Sequence, residues 1–228
     1  MKKKTIALLL VMVLIFGISV GGTIAYLTDT KTVTNTFTVG NVHIKLDEAK
    51  TNLAGEPLDG SNAVVALDKA VRTEVGNKYH LIPGMSYTKD PTITVLAGSE
   101  KAYVRMQVTV SKSAELDAIF GPGGADMTAI FGALGTGWVY KNNVEDTAKN
   151  IRTYEFWYTP EVDDSSDIPA LFQTITVPGV ITNDQLATLV EYNTDGTIKS
   201  QMTITAVAHA IQSAGFADAA AAWAAWTN

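Results

Sequence analysis

Segments in which hydrophobic and polar residues alternate recur along the chain. The first is residues 26–47, a stretch rich in Thr and Val. Its hydrophobic positions are Val33, Phe37 and Val39, followed after Gly40-Asn41 by Val42, Ile44 and Leu46. β-Branched residues at a period of two are typical of a half-buried strand. The Gly-Asn pair predicts a bulge or a tight turn within it.

Later segments repeat this pattern between turns that contain Gly or Pro. Strands are predicted at 92–96, 103–110, 138–141, 152–159, 171–177 and 201–209, with short ones at 63–67 and 71–75. One face of the segment 103–110 contains Val104, Met106, Val108 and Val110. In the segment 154–158, Trp157 lies opposite Tyr154, Phe156 and Tyr158. Gly98-Ser99 predicts a hairpin, Asp195-Gly196 a two-residue turn, and 48–62 a polar loop.

Helices are predicted to be few and short. Ser113 is expected to cap a helix over 114–120, and Thr182 with Gln185 forms a capping-box pattern ahead of another. The C-terminal stretch 216–226 is rich in alanine and predicts an amphipathic helix. The residues on its aromatic face are Phe216, Ala220 and Trp223. Packing of this face against the sheet is the first interpretation, and a partner-binding face is the alternative.

Many short strands, with helices only as insertions, predict a mainly β fold. We expect an antiparallel β-sandwich of jelly-roll type with short helical insertions and a C-terminal helix. The sequence contains no evident internal repeat, and GPGGAD at 121–126 predicts a loop. Residues 26–228 are therefore expected to form a single domain.

The first 25 residues have the pattern of a signal peptide. Lys2 to Lys4 form a basic start, and an apolar run over 6–20 follows. Thr23 and Ala25 are placed as in an A-x-A-like site, so cleavage is predicted between Ala25 and Tyr26. The apolar stretch also has the length of a membrane span, about 20 residues. An uncleaved anchor is therefore the alternative, and the small-residue site favours cleavage.

Charge and cysteine content narrow the classes of function. The chain has 17 Lys and Arg against 23 Asp and Glu, a formal net charge of −6, and three of the lysines belong to the signal segment. Such an acidic chain is a poor partner for nucleic acid, whose phosphates are neutralised by Lys and Arg. Cysteine is absent, which excludes thiolate nucleophiles and disulfides and is typical of export from a Gram-positive bacterium.

Motifs of catalysis and metal binding are not found in the sequence. HExxH, GxSxG and Walker-type glycine patterns are absent, and His43, His80 and His209 lie in separate segments. Acidic residues cluster at Glu161, Asp163, Asp164 and Asp167. Because this cluster lacks the ordered spacing of a calcium loop, it predicts a solvated turn, with a calcium site as the alternative. We expect no catalytic residue, cofactor or metal site and no enzymatic activity.

Three stretches resemble a known family. Residues 21–48 (GGTIAYLTDTKTVTNTFTVGNVHIKLDE) are similar to the signal junction and first mature strand of the TasA/camelysin family. Residues 81–110 (LIPGMSYTKDPTITVLAGSEKAYVRMQVTV) resemble its next block, in which a Leu-x-Pro-Gly turn precedes two strands separated by a short break. The C-terminal AHAIQSAGFADAAAAWAAW also resembles relatives with this type of signal peptide. Together the matched stretches cover well under half of the chain.

The resemblance implies export through a SipW-type signal peptidase. It further implies a jelly-roll subunit of extracellular fibres in the biofilm matrix, or a surface-layer component. Camelysin relatives have also been classed as metallopeptidases, but no HExxH supports that activity here, so a surface metallopeptidase is only an alternative. A monomeric adhesin or ligand-binding module is a third interpretation.

An N-terminal strand freed by cleavage suggests how such fibres form. The candidate assembly strand is Thr32 to Val39, with Val42, Ile44 and Leu46 as a further part, and it would add to the sheet of a neighbouring subunit. Because donor and acceptor surfaces differ, this contact is heterologous and propagates as an open filament. Before cleavage the strand is tethered to the membrane, so processing would control assembly. Pairing of the strand within its own subunit is an equally open alternative.

Overall fold

The structure, a computed structural model, describes residues 41–121 and 131–226. This part of the chain forms eleven strands, three short α-helices and one 3-10 helix, Leu67–Lys69. The strands are β1 (Ile44–Ala49), β2 (Arg72–Thr73), β3 (Ser86–Thr88), β4 (Thr92–Val95), β5 (Ala102–Ser111), β6 (Trp138–Asp146), β7 (Ile151–Tyr158), β8 (Thr174–Thr176), β9 (Val190–Tyr192), β10 (Ile198–Gln201) and β11 (Ile204–Gln212). The helices are α1 (Ser113–Phe120), α2 (Asn183–Ala187) and α3 (Ala219–Ala225). The fold is therefore mainly β with a C-terminal helix, as the sequence pattern predicts.

The described strands pair in the antiparallel sense. The largest sheet has the order β11-β5-β7-β6, and a three-stranded sheet has the order β2-β1-β4. Two further pairs, β3-β8 and β9-β10, contain two strands each. In the largest sheet Met106 of β5 lies opposite Ala208 of β11 and Phe156 of β7. These three side chains therefore share one face.

That face is the centre of the hydrophobic core. The β5 residues on it are at most 1% exposed, namely Val104, Met106, Val108 and Val110. Tyr154 and Phe156 of β7 belong to the same cluster, as do Ile93 of β4 and Ile175 of β8. Burying one such side chain contributes about 1.5–3 kcal/mol. The faces predicted for these residues of β5 and β7 are confirmed, with Trp157 on the opposite side.

The connection at Gly98-Ser99 is not a hairpin, contrary to prediction. β4 pairs with β1, whereas β5 pairs with β11 and β7, so this connection leads from the smaller sheet to the larger one. A turn signal indicates where a strand ends, but not which strand it pairs with. Asp195-Gly196 does lie in a hairpin, between β9 and β10, although the loop extends over 193–197.

One of the two predicted helix caps is confirmed. The Thr182 hydroxyl accepts from the backbone N–H of Gln185, and the Gln185 side chain accepts from the backbone N–H of Thr182. The cap at Ser113 is wrong, because Ser113 lies inside α1 and the N-cap is Lys112, with φ of 62°. The Oδ1 of Asn150 instead accepts from the backbone N–H that follows Ser113, at 2.9 Å.

The C-terminal helix is shorter than predicted. Asp218 caps it by accepting from a backbone N–H, so Phe216 lies before the helix. Ala220 is exposed, and the buried residues are Ala222 and Trp223. The packing of Trp223 against the sheet confirms the first interpretation, but Trp223 is the one residue of the predicted face that is buried.

The first part of the described chain has few regular elements. The predicted loop at 48–62 begins later, because Glu48 and Ala49 are buried at the end of β1. No strand forms at 63–67, and the strand predicted at 71–75 is reduced to β2. The short strands there leave polar side chains to make many of the connections.

Candidate assembly edge

The candidate assembly strand lies only in part within the described residues. Ile44 and Leu46 are in β1 and half-buried, and Val42 precedes β1. Ile44 lies opposite Val95, and Leu46 opposite Ile93, so this part pairs with β4 of its own chain. The predicted residues outside the described range are Ala25 and Tyr26 of the cleavage site and Val33, Phe37 and Val39 of the strand.

One side of β11, here called the β11 edge, forms a border of the four-stranded sheet. β11 pairs with β5 without a shift in register, from Ile204 opposite Val110 to Gln212 opposite Ala102. The N–H of Ser213 donates to the carbonyl of Lys101 at the continuation of this ladder. In an antiparallel pair such bonds occur at every second residue, so the even-numbered residues of β11 direct their N–H and C=O groups away from β5.

The β11 edge has no charged residue, proline or bulge to protect it. No other strand in the ranges 41–121 and 131–226 pairs with it. Its sequence, ITAVAHAIQ, contains no Lys, Arg, Asp, Glu or Pro. Charges, prolines and bulges are the features by which sheet edges commonly avoid pairing with another chain. The β11 edge thus presents the backbone groups of its even-numbered residues along a nine-residue strand, and an added strand could pair with them.

The opposite border of the sheet, β6, has such protection. The ladder between β6 and β7 shifts register between Tyr140 and Asn142, which marks a bulge. β6 also contains the charged residues Lys141, Glu145 and Asp146. Bulges and charges both hinder the addition of a further strand. The two borders of one sheet therefore differ in their capacity to pair.

Apolar side chains beside the β11 edge are only partly covered. Those that pack on the core yet remain partly exposed are Ile204, Ala206, Ala208 and Ala210 of β11, and Val42, Ile44 and Leu46 in or before β1. Cα atoms of β1 lie within 8 Å of Cα atoms of β11, but the two strands do not pair. A strand placed here would bury apolar surface, and burial of each Å² contributes about 25 cal/mol to the free energy of association.

The outer face of the same sheet has a polar and aromatic layer beneath α3. His209, Arg105 and Trp157 are direct cross-strand neighbours on β11, β5 and β7. The guanidinium carbon of Arg105 lies 4.5 Å from the centre of the Trp223 ring, and the Trp157 ring lies 6.4 Å from that ring. Glu155 accepts from Nε1 of Trp157 at 2.6 Å. This layer attaches α3 to the sheet.

Three buried polar atoms of this layer lack a hydrogen-bond partner in the structure as described. They are Nε of Arg105, Nδ1 of His209 and Nε1 of Trp223. Each such atom costs about 1–3 kcal/mol relative to a satisfied one. Burial, together with the positive charge of Arg105, lowers the pKa of His209, so its imidazole is neutral at neutral pH.

A second polar cluster is buried where β1 meets the segment after β3. Its buried charged residues are Asp47, Glu48, Lys89 and Asp90. Arg72 of β2 donates from Nε to Asp47 at 2.8 Å and from Nη1 to Asp90. Nζ of Lys89 lies 2.5 Å from Oε2 of Glu48. Buried charges are tolerated when they are paired in this way. Sequence reasoning missed this cluster, because its members are scattered without a recognisable spacing.

The predicted acidic turn is stabilised by hydrogen bonds within its own loop and by one from Gly98. Asp163 accepts from the hydroxyl of Ser165 at 2.6 Å and from its N–H at 3.0 Å, which lowers the pKa of Asp163. Asp164 accepts from the N–H of Gly98 at 3.1 Å. Among the residues that the structure describes, no three His, Cys, Asp or Glu side chains are arranged to hold a metal ion.

Comparisons of the chain with protein-family models, with curated proteins and with solved structures find no match. Within the described ranges, no helix has the length and apolar character needed to cross a bilayer.

Proposed function

We propose that this chain is a non-enzymatic structural protein of a Gram-positive bacterium, exported to the cell envelope or biofilm matrix, where it assembles into fibres. The signal-peptide pattern that ends at Ala25 supports export. The resemblance of residues 21–48 and 81–110 to the TasA/camelysin family supports the matrix role. The proposed partners are further copies of this chain or a related matrix protein, with signal peptidase acting during export.

The proposed subunit is an antiparallel sandwich of jelly-roll type. One core cluster takes side chains from the four-stranded sheet and from β3, β4 and β8 of the smaller sheets. This is the arrangement expected when two sheets pack face to face. A sandwich leaves the borders of its sheets exposed unless something covers them.

The difference between β11 and β6 is the observation on which the assembly proposal rests. The β11 edge is continuous and uncharged, and half-covered apolar side chains lie beside it. In the donor strand 32–39, Val33, Phe37 and Val39 alternate with threonines. Their apolar face would cover those side chains, while the donor backbone would pair with the β11 edge.

The position of β1 limits which residues are donated. Ile44 and Leu46 are already paired with β4, so the donor of the proposal is confined to 32–39 and the segment 40–43 becomes the connection between subunits. Hydrogen-bonded strands lie about 4.8 Å apart, so a strand fits between β11 and β1 only where β1 moves outward. Each subunit would then use its N-terminus as donor and β11 as acceptor, and the filament would grow in one sense.

The decisive experiment compares two purified proteins, one beginning at Tyr26 and one beginning at Gly40. Circular dichroism first establishes that both fold. Electron microscopy and sedimentation are then expected to detect filaments only in the protein that begins at Tyr26. A synthetic peptide of residues 32–39 is expected to bind the shortened protein without producing filaments. Filaments from both proteins, or from neither, would rule out donation of this strand.

A further inference from the structure

The buried residues Glu48 and Lys89 meet the half-buried Asn77 in a contact that strand addition does not use. Glu48 is 7% exposed and Lys89 6% exposed. Nζ of Lys89 donates to Oε2 of Glu48 at 2.5 Å, and Nδ2 of Asn77 donates to Oε1 of Glu48 at 2.9 Å. The two oxygens of one carboxylate therefore bind an amine and a carboxamide.

Three hydrogen bonds hold the carboxamide of Asn77 in place, one of them the bond to Glu48. Its Nδ2 also donates to the carbonyl of Ala49 at 2.8 Å, and the backbone N–H of Thr51 donates to its Oδ1 at 2.9 Å. A backbone N–H in that position polarises the carbonyl and stabilises negative charge that develops on its oxygen. The leaving nitrogen, meanwhile, contacts the carboxylate of Glu48.

We propose that Lys89 and Asn77 form an intramolecular isopeptide bond, with Glu48 as the proton carrier. Glu48 takes a proton from the ammonium of Lys89, and the neutral amine attacks Cγ of Asn77. The Oδ1 of the tetrahedral intermediate is stabilised by the N–H of Thr51. Glu48 returns its proton to Nδ2, and the C–Nδ2 bond breaks to release ammonia. The second proton leaves Nζ and passes through Glu48 to that ammonia. Lysine ammonium and carboxamide thus yield an amide and one ammonium ion, without an oxidant or cofactor.

Burial of Lys89 and Glu48 distinguishes this contact from an ordinary surface contact between a lysine and an asparagine. Nζ of Lys50 donates to Oδ1 of Asn62 at 2.7 Å, but that hydrogen bond is exposed to solvent. Solvent hydrates the amine at such an exposed site, and a hydrated amine is a poor nucleophile. The pair of Lys50 and Asn62 is therefore a matched control within the same chain.

The bond would crosslink a part of the fold with little regular structure. It would join the segment that follows β2 to the residue that follows β3, and so close the loop 77–89. The chain has no cysteine and hence no disulfide for this purpose. A crosslink of this kind restricts the unfolded chain, as a disulfide does.

Intact mass spectrometry of the full mature protein tests the proposal directly. The mass is expected to be lower than the sequence mass by one ammonia. Trypsin is expected to release a branched peptide that joins Asn77 to Lys89 and is not cleaved after Lys89. Glu48→Gln and Lys89→Arg are expected to restore the full mass, whereas Asn62→Ala leaves the ammonia loss unchanged.

The wild-type protein alone decides the outcome, even if a variant fails to fold. An unmodified wild-type mass, or an ammonia loss that maps to any other residue, would overturn the assignment. The measurement is made on monomers, so its result is independent of whether the N-terminal strand is donated between subunits.

Discussion

The guanidinium carbon of Arg105 lies 4.5 Å from the centre of the Trp223 ring and 5.4 Å from that of Trp226. Arg105 is only 7% exposed although it lies on the outer face of the sheet, because α3 covers it. A helix of seven residues is too short to be stable alone. The position of α3 therefore depends on this cation–π stack and on its Asp218 cap.

Replacement of Trp223 tests the contribution of the stack. Trp223→Ala is expected to lower the free energy of unfolding by about 2–4 kcal/mol, because ring burial and the cation–π contact are both lost. Trp223→Phe keeps a ring and removes the unpartnered Nε1 donor, so it is expected to cost less than about 1.5 kcal/mol. Urea denaturation measures both. Equal losses would show that the ring stack is not the source of the stability.

His209 is expected to make the fold sensitive to acid. Its pKa is lowered by burial and by Arg105, against a smaller opposing effect of Glu155. In the unfolded chain the pKa of the imidazole is about 6.5. The unfolded chain therefore binds a proton at a pH at which the folded chain does not. The contribution of His209 to stability is therefore complete above about pH 6.5. It is lost as the pH falls from there toward the lowered pKa of the folded state.

The measurement is the free energy of unfolding between neutral and mildly acidic pH. His209→Gln is expected to flatten part of this dependence, because the imidazole whose pKa is lowered is removed. NMR titration of the His209 ring gives an independent value. A pKa at or above that of a free histidine would contradict the proposed effect of burial.

Arg152 links α1 to the four-stranded sheet. Its Nη1 and Nη2 donate to the two oxygens of Asp117 at 2.6 and 2.7 Å, and Nη2 lies 3.1 Å from Glu145. These bonds raise the pKa of Arg152, although burial opposes them. Arg152→Ala is expected to cost about 2–3 kcal/mol, since charged hydrogen bonds of a buried group are lost. Urea midpoints and hydrogen exchange of the α1 amides measure the effect.

The control for Arg152 is a surface pair on the neighbouring turn. Lys149 lies 2.9 Å from Asp146, and the side chain of Lys149 is exposed. Lys149→Ala is expected to change stability by less than about 0.5 kcal/mol. Similar losses in the two variants would indicate that burial of Arg152 adds nothing to its ion pairs.

Features set by neighbouring residues are the ones that the sequence predicts well. The period of two in β5 identifies the buried face of Val104 and Met106, because successive side chains of a strand alternate. The capping box of Thr182 and Gln185 is likewise local, since both hydrogen bonds connect residues three apart.

Features that depend on contacts between distant segments of the chain are not predicted from the sequence. Ser113 did not become a cap, because its hydroxyl lies against Glu145 and Asn150 from another part of the chain. The contact of Glu48 with Lys89 joins residues 41 apart, and that with Asn77 joins residues 29 apart. No local pattern encodes such contacts, since they arise only when β1 packs beside the segments after β2 and β3.

A lysine introduced at either border of the four-stranded sheet tests whether β11 or β6 is the acceptor edge. Val207 of β11 is 45% exposed and Val144 of β6 is 68% exposed, and both lie on the outer face. Val207→Lys places an ammonium group beside the backbone that a donor strand would pair with, and its desolvation opposes pairing. We expect filaments of the protein beginning at Tyr26 to be lost or strongly delayed in this variant. Val144→Lys should assemble normally, with both monomers within about 0.5 kcal/mol of the parent. Inhibition by Val144→Lys alone would move the acceptor from β11 to β6.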